Sequence, residues 1–181
     1  MHYFLGLEVW QSSEGIFLNQ GKYVVEILKR LKCKFMATPM YSKLKLLADE
    51  SLELVDVTHY RQIIGSLMYL TNTRPDICFA VNTISQYLVQ PRRFNLVAAK
   101  HVMRYLKGTI DFGLYYDGSH EYILYDYTDA YWARSISDRK STSGICFCLG
   151  SAMISWFSRK QSSVSLRTTK AEYIVDCSAK L

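Results

Sequence analysis

Arg104-Tyr-Leu-Lys-Gly-Thr-Ile-Asp-Phe-Gly-Leu-Tyr-Tyr116 is the stretch in which the chain changes its period. Before it, apolar residues return every three or four positions; after it, they come in short aromatic and β-branched blocks bounded by turn residues. Gly108 suits the left-handed cap that closes a helix. Phe112–Tyr116, Tyr122–Tyr127, Gly144–Leu149 and Ala152–Phe157 then read as strands, because such residues pack well on a pleated surface. The junction sets the class as α+β and predicts a domain boundary near residues 109–117.

Working back from Gly108, a helix spans about Asn95 to Lys107. At 100° per residue, Leu96, Ala99, Val102, Met103 and Leu106 share one side. Arg93, Lys100, Arg104 and Lys107 align on the other, and no acid lies between Pro91 and Gly108. That stripe is either a solvated outer face or a track for phosphates. Arg74-Pro75-Asp76 predicts a helix start, with proline in the first turn and an acid at the positive end of the dipole, burying Ile77, Ala80, Val81, Ile84 and Leu88. His59 to Leu70 carries Tyr60, Ile63, Ile64, Leu67 and Met68 at helical spacing. Residues 41–57 hold mixed charges without a period and read as a loop with short helical pieces. Tyr23, Val24, Ile27, Leu28 and Leu31 define an amphipathic helix, and the chain opens with a hairpin of residues 3–9 and 16–20 about Ser12-Ser-Glu-Gly15.

Working forward, Gly150-Ser151 joins the last two strands into a hairpin. Thr169 to Leu181 reads as a closing helix with Ala171, Ile174, Val175 and Ser178 on one face.

Composition narrows the function classes. The 181 residues are 49% hydrophobic and 21% charged, ample for an ordinary core and unlike a disordered tail or a fibre. Net charge is +6, and 14 cations against 10 anions over residues 1–117 and 8 against 6 over 118–181 leave neither half strongly basic. No apolar run approaches the roughly 18 residues that cross a bilayer, and Glu8 interrupts what would be the apolar core of a signal peptide. Cys33, Cys78, Cys146, Cys148 and Cys177 form an odd set without C-x-x-C spacing. Cys146 and Cys148 fall on one face of a strand, and no histidine is near enough in sequence to build a zinc site with them. A reducing intracellular setting, cytoplasmic or nuclear, is expected. No phosphate loop, nucleophile elbow or H-E-x-x-H motif occurs, so chemistry must come from carboxylates or from binding.

Two carboxylates stand out. Asp129 is expected just past the strand Tyr122–Tyr127 and Glu172 in the first turn of the closing helix. Hard oxygen donors from a strand end and a neighbouring helix can converge on a divalent ion. Equally, an aspartate there can form a turn and a first-turn glutamate can serve the helix dipole. Fourteen tyrosines and three tryptophans could stack on bases, although rings in so apolar a chain are mostly core.

Many segments together resemble the C-terminal part of a copia-type retrotransposon Pol polyprotein. Tyr3-Phe-Leu-Gly-Leu-Glu-Val9, Gly15-Ile-Phe-Leu-Asn-Gln20 and Lys22-Tyr-Val24 are similar to the hairpin that closes the reverse-transcriptase palm and to the start of its thumb. Thr38-Pro-Met40, the run from Tyr60 to Ile77, Val81-Asn82, Ala99-Lys100 and Arg104-Tyr-Leu-Lys-Gly-Thr109 resemble thumb and connection. Tyr127-Thr-Asp129, Trp132-Ala133, the run Asp138 to Gly144, Leu149-Gly-Ser151, Ile154-Ser-Trp156, Lys160-Gln161 and Ala171-Glu-Tyr173 resemble the opening of the attached ribonuclease H domain.

The resemblance implies three segments: palm end over 1–20, thumb and connection helices over 21–110, and the N-terminal part of a ribonuclease H-like fold over 111–181. It also implies that Asp129 and Glu172 match two of four acids holding Mg²⁺ against an RNA–DNA hybrid. The polymerase carboxylates would then lie upstream of Met1 and the other two ribonuclease acids beyond Leu181, with the rest of a Pol polyprotein as a partner. Four departures stand near the carboxylates: Tyr131 replaces a second Asp, Arg134 and Arg167 replace small residues, and Lys170 replaces an acid. Residues 30–38 run about three short of the pattern. Three roles follow as expectations: nucleic-acid binding through Arg93, Lys100, Arg104 and Lys107, or no activity; hybrid cleavage with Mg²⁺ completed by another chain; and protein docking at an exposed sheet edge.

Overall fold

The computed structural model describes residues 2–29, 34–41, 53–133 and 139–179. Arg30, Leu31, most of the loop expected at 41–57, and Arg134 lie outside them. The described residues form five helices and two antiparallel sheets, divided into two compact units that meet in sequence at Tyr115/Tyr116. The segments expected at 1–20 and 21–110 fall together in the first unit.

That unit opens with β1 (His2–Phe4), β2 (Leu7–Gln11) and β3 (Gly15–Asn19). Residues 3–9, expected as one strand, instead fold back on themselves, with Phe4 paired to Leu7. Leu5 and Gly6 both have positive φ, 47° and 78°, as a two-residue hairpin turn requires. Tyr69 holds that turn by donating its hydroxyl proton to the Leu5 carbonyl. The expected Ser12–Gly15 turn then joins β2 to β3, where Trp10 pairs with Phe17 and Glu8 with Asn19.

Four helices build the core of this unit: α1 (Gly21–Leu28), α2 (Val57–Leu70), α3 (Pro75–Ser85) and α4 (Arg93–Lys107). Asp56 caps α2 by accepting from the Thr58 amide at 2.8 Å, and Pro75 opens α3 as expected. Val24, Leu28, Tyr60, Ile64, Leu67, Leu70, Ile77, Ala80, Val81 and Ile84 are buried together with Ala99, Val102 and Leu106. Each large apolar side chain so buried contributes roughly 1.5–3 kcal/mol against chain entropy. Met68, expected inside, is 51% exposed, because Leu70 takes the inner position at the end of α2. The buried face of α4 is also rotated from the expected one. Asn95, Ala98, His101 and Tyr105 join it, while Leu96 and Met103 are only partly buried. Residues 34–41 explain the rotation: the Thr38 carbonyl lies 2.9 Å from His101 Nε2, and Tyr41 meets the imidazole edge-on. The first sheet has the order β1-β2-β3-β4, with β4 at Gly113–Asp117.

The second unit contains β5 (Leu124–Tyr131), β6 (Thr142–Leu149) and β7 (Ala152–Lys160) in that order, followed by α5 (Thr168–Ala179). Leu149 pairs with Ala152 across the Gly150-Ser151 turn, where Gly150 has φ +59°. Helix α5 packs on β5 and β6, burying Ala171 and Val175.

Candidate functional site

In α4 the apolar side is spent on the core, so Arg93, Lys100 and Lys107 are left exposed on the outer side and Arg104 half-buried. Fourteen residues at 1.5 Å rise stretch the four cations over about 21 Å. The stripe is interrupted by exposed Val97, and Arg104 is partly committed: its Nε donates to the Lys34 carbonyl at 2.8 Å. The Met36 amide returns a bond to the Arg104 carbonyl at 3.2 Å, fixing residues 34–36 beside the last turn of α4. Helix α4 itself contains no acidic residue. The face is therefore a row of cations on a rigid helix, with geometry suited to polyanions.

The carboxylates are placed differently from expectation. Asp129 lies within β5, not after it, because pairing with β6 continues through Ala130–Ser143 to Tyr131–Thr142. Glu172 is the fifth residue of α5, beyond its first turn, which contains no acid. Asp129 pairs with Gly144, where an added Cβ would meet nothing closer than the Asp129 carbonyl at 3.9 Å. Ser143 and Ile145, on either side of Gly144, are buried toward the face that carries α5. Cross-strand partners share a face, so Asp129 projects from the uncovered side of the sheet, while Glu172 rides on the helix that covers the other. Both side chains are exposed.

Among the described residues no group of three or more His, Cys, Asp or Glu side chains gathers to hold a metal. Two hard oxygen donors alone fit Mg²⁺ only as that ion is commonly held, by one or two carboxylates with waters and substrate phosphates completing the shell. Lys170, two residues before Glu172, and Tyr131, two after Asp129, add no acid.

Sequence reasoning missed what fixes α5. Gln161, just after β7, is buried and donates from Nε2 to Ser143 Oγ at 3.1 Å and to the Ala171 carbonyl at 3.0 Å. Its Oε1 accepts from Ser165 Oγ at 3.3 Å, and the Ser165 carbonyl accepts the Trp132 indole N–H at 2.9 Å. Sheet, helix start and the end of β5 are thus tied to one amide. The available signal was the run Ser141-Thr-Ser143 opposite Lys160-Gln161, small polar residues alternating where a strand needs a buried face.

No protein-family model and no solved structure matches the chain. It is 43% identical over 176 residues to the retrovirus-related Pol polyprotein from transposon RE2 of Arabidopsis thaliana, covering 96% of this chain and 12% of that protein. It is 38% identical over 183 residues to the corresponding polyprotein from transposon TNT 1-94 of Nicotiana tabacum, covering 94% and 14%. An uncharacterized mitochondrial protein of A. thaliana is 40% identical over 176 residues, covering 96% of this chain and 73% of that one. The chain thus spans about an eighth of the transposon polyproteins it matches. Identity at this level across nearly the whole chain shows that it belongs to the family of retrovirus-related Pol polyproteins of copia-type transposons.

Proposed function

We propose that this chain is a nucleic-acid-binding segment of a copia-type Pol, joining the end of the reverse-transcriptase palm and its helical thumb to a ribonuclease H-like unit. The observation that carries the reading is the row Arg93, Lys100, Arg104 and Lys107 along α4, exposed at every position but the half-buried Arg104. Cations at fixed spacing neutralise successive phosphates, and the release of condensed counterions makes affinity fall steeply with salt. Replacing all four by glutamate should weaken binding to an RNA–DNA hybrid and lower the slope of log affinity against log salt by about 3–4 for a duplex. A slope equal to that of the unaltered protein overturns the assignment of the stripe.

A second reading rests on α5 packing against β5, which puts Glu172 and Asp129 on neighbouring elements. In that reading Mg²⁺ would sit at the edge strand β5, where Asp129 from the uncovered face and Glu172 from the helix on the other face would both have to reach it, and it would supply charge neutralisation at the scissile phosphodiester. Asp129 on the uncovered face would meet the RNA strand, and the remainder of a Pol polyprotein would supply the missing acids. Cleavage of a labelled hybrid that requires Mg²⁺ and is lost in Asp129→Asn supports it; cleavage that survives the substitution sinks it.

A further inference from the structure

Three sulfur-bearing residues outside both sites occupy adjoining positions on β6 and β7. Cys146 and Cys148 alternate along β6, so both thiols leave the same face, the one on which Asp129 lies. The β6–β7 register sets Trp156 opposite Cys146 and Met153 opposite Cys148. The irregularity between Phe147 and Cys148 leaves Ile154 without a partner and so brings Met153 onto the cysteine face. Cys146, Cys148 and Met153 are each half-buried, sheltered but reachable. Separated by one residue on one face, the two thiols stand at adjoining positions of the strand. Tyr116 closes one side by donating its hydroxyl to the Met153 carbonyl at 2.6 Å.

This geometry distinguishes among the things two thiols can do. Residues i and i+2 of a strand stand about 6.6 Å apart at Cα, the long limit of what a disulfide spans, so direct oxidation would strain β6. An ion bonded to sulfur at about 2.3 Å bridges a wider gap between the sulfurs than an S–S bond of about 2.05 Å. A tetrahedral zinc site would need further nitrogen, sulfur or oxygen donors, and the described residues offer no third Cys, His, Asp or Glu beside the pair. Two thiolates with a thioether form a soft, low-coordinate donor set, which selects Cu(I).

We propose that Cys146, Cys148 and Met153 form a binding site for one soft monovalent cation of the Cu(I) type. On binding, the two thiol S–H bonds give way to two Cu–S bonds, both protons pass to solvent, and copper stays Cu(I), so neither oxidant nor reductant is consumed. The site is independent of the nucleic-acid reading, since none of its residues belongs to the α4 stripe or to the carboxylate pair.

The test is anaerobic titration of the whole chain with Cu(I) alone in competition with a chromophoric Cu(I) chelator. One equivalent should be retained, with at least tenfold weaker affinity in Cys146→Ser and in Cys148→Ser and a several-fold loss in Met153→Leu. Cys33→Ser, Cys78→Ser and Cys177→Ser should leave the affinity unchanged. Equal affinity in all these variants, or copper bound in proportion to total thiols, overturns the proposal. Alkylation mapped by mass spectrometry on the unaltered protein avoids any loss of fold in the variants. One equivalent of Cu(I) should shield Cys146 and Cys148 together, and shielding of neither, or of another cysteine first, overturns the site.

Discussion

The guanidinium of Arg74 forks onto the carboxylate of Asp76, two residues on: Nε donates to Oδ1 at 2.9 Å and Nη2 to Oδ2 at 2.7 Å. The same guanidinium donates to the Thr109 carbonyl at 2.8 Å and to its hydroxyl at 2.7 Å, while Tyr105 donates to Asp76 at 2.7 Å. Arg74, 2% exposed, therefore ties the start of α3 to the end of α4. Removing one partner of such a pair strands the other, so Arg74→Ala should cost about 3 kcal/mol, read by urea unfolding. Arg74→Lys should recover little, because an ammonium cannot reproduce the fork. Full stability in Arg74→Ala would show the network to be ornamental.

The same network sets an acid limit. Burial alone would push the Asp76 carboxyl up, but the hydrogen bond and charge of Arg74, with the Tyr105 hydroxyl, outweigh it and hold the carboxyl below the usual aspartate range. A group whose folded pKa is depressed contributes stability above its unfolded value, near 4, and loses it as pH falls through the folded value. Unfolding free energy should thus drop as pH falls below about 4, and Asp76→Asn should show a shallower drop over that window. Parallel pH profiles for the two proteins would exclude the linkage.

Tyr60 is fully buried and its hydroxyl donates to the Ile84 carbonyl at 2.8 Å, bonding α2 to the end of α3. Tyr60→Phe keeps the ring but leaves a buried acceptor without its donor. The expected loss is about 1–2 kcal/mol with an unchanged denaturant slope. A loss within error of zero would mean that water replaces the hydroxyl.

Gly113 in β4 passes so close to β3 that a Cβ there would overlap the Leu18 carbonyl oxygen and lie 2.8 Å from Asn19 Cβ. Gly113→Ala should therefore destabilise the first unit by roughly 1–3 kcal/mol, since neither obstacle is the end of a flexible side chain. Gly65→Ala is the control: its added methyl meets nothing within 4 Å, and in a helix alanine outranks glycine, so thermal unfolding should move upward.

Local signals made much of the first unit legible. Proline at the start of α3 and the spacing Ile77, Ala80, Val81, Ile84 specify one helix and one face with no help from the rest of the chain. The rotation of α4 could not be read the same way, because His101 and Tyr105 are buried by partners more than 25 residues distant, Thr38 and Asp76. Asp129 was misplaced for a related reason. Aspartate disfavours strands, yet the ladder to Thr142 extends β5 past it, and pairing partners are not written in the strand itself. The cationic stripe needed only helical periodicity, whereas the face from which Asp129 projects needed the register.

Gln161 is where fold and candidate site meet. Its buried amide serves Ser143 on the sheet, Ala171 on α5 and Ser165 between them, so Gln161→Leu would leave three polar groups unpaired at similar side-chain volume. Each such group costs about 1–3 kcal/mol before relaxation, and together they should loosen α5 by about 3 kcal/mol. The first unit has no share in these bonds. Amide exchange should therefore quicken about a hundredfold in α5 while staying unchanged in α2 and α3. Because α5 carries Glu172, any Mg²⁺-dependent hybrid cleavage should also fall in Gln161→Leu. Unchanged exchange in α5 would remove Gln161 as the residue that positions the helix, and with it the physical reason for expecting Glu172 to be held near β5.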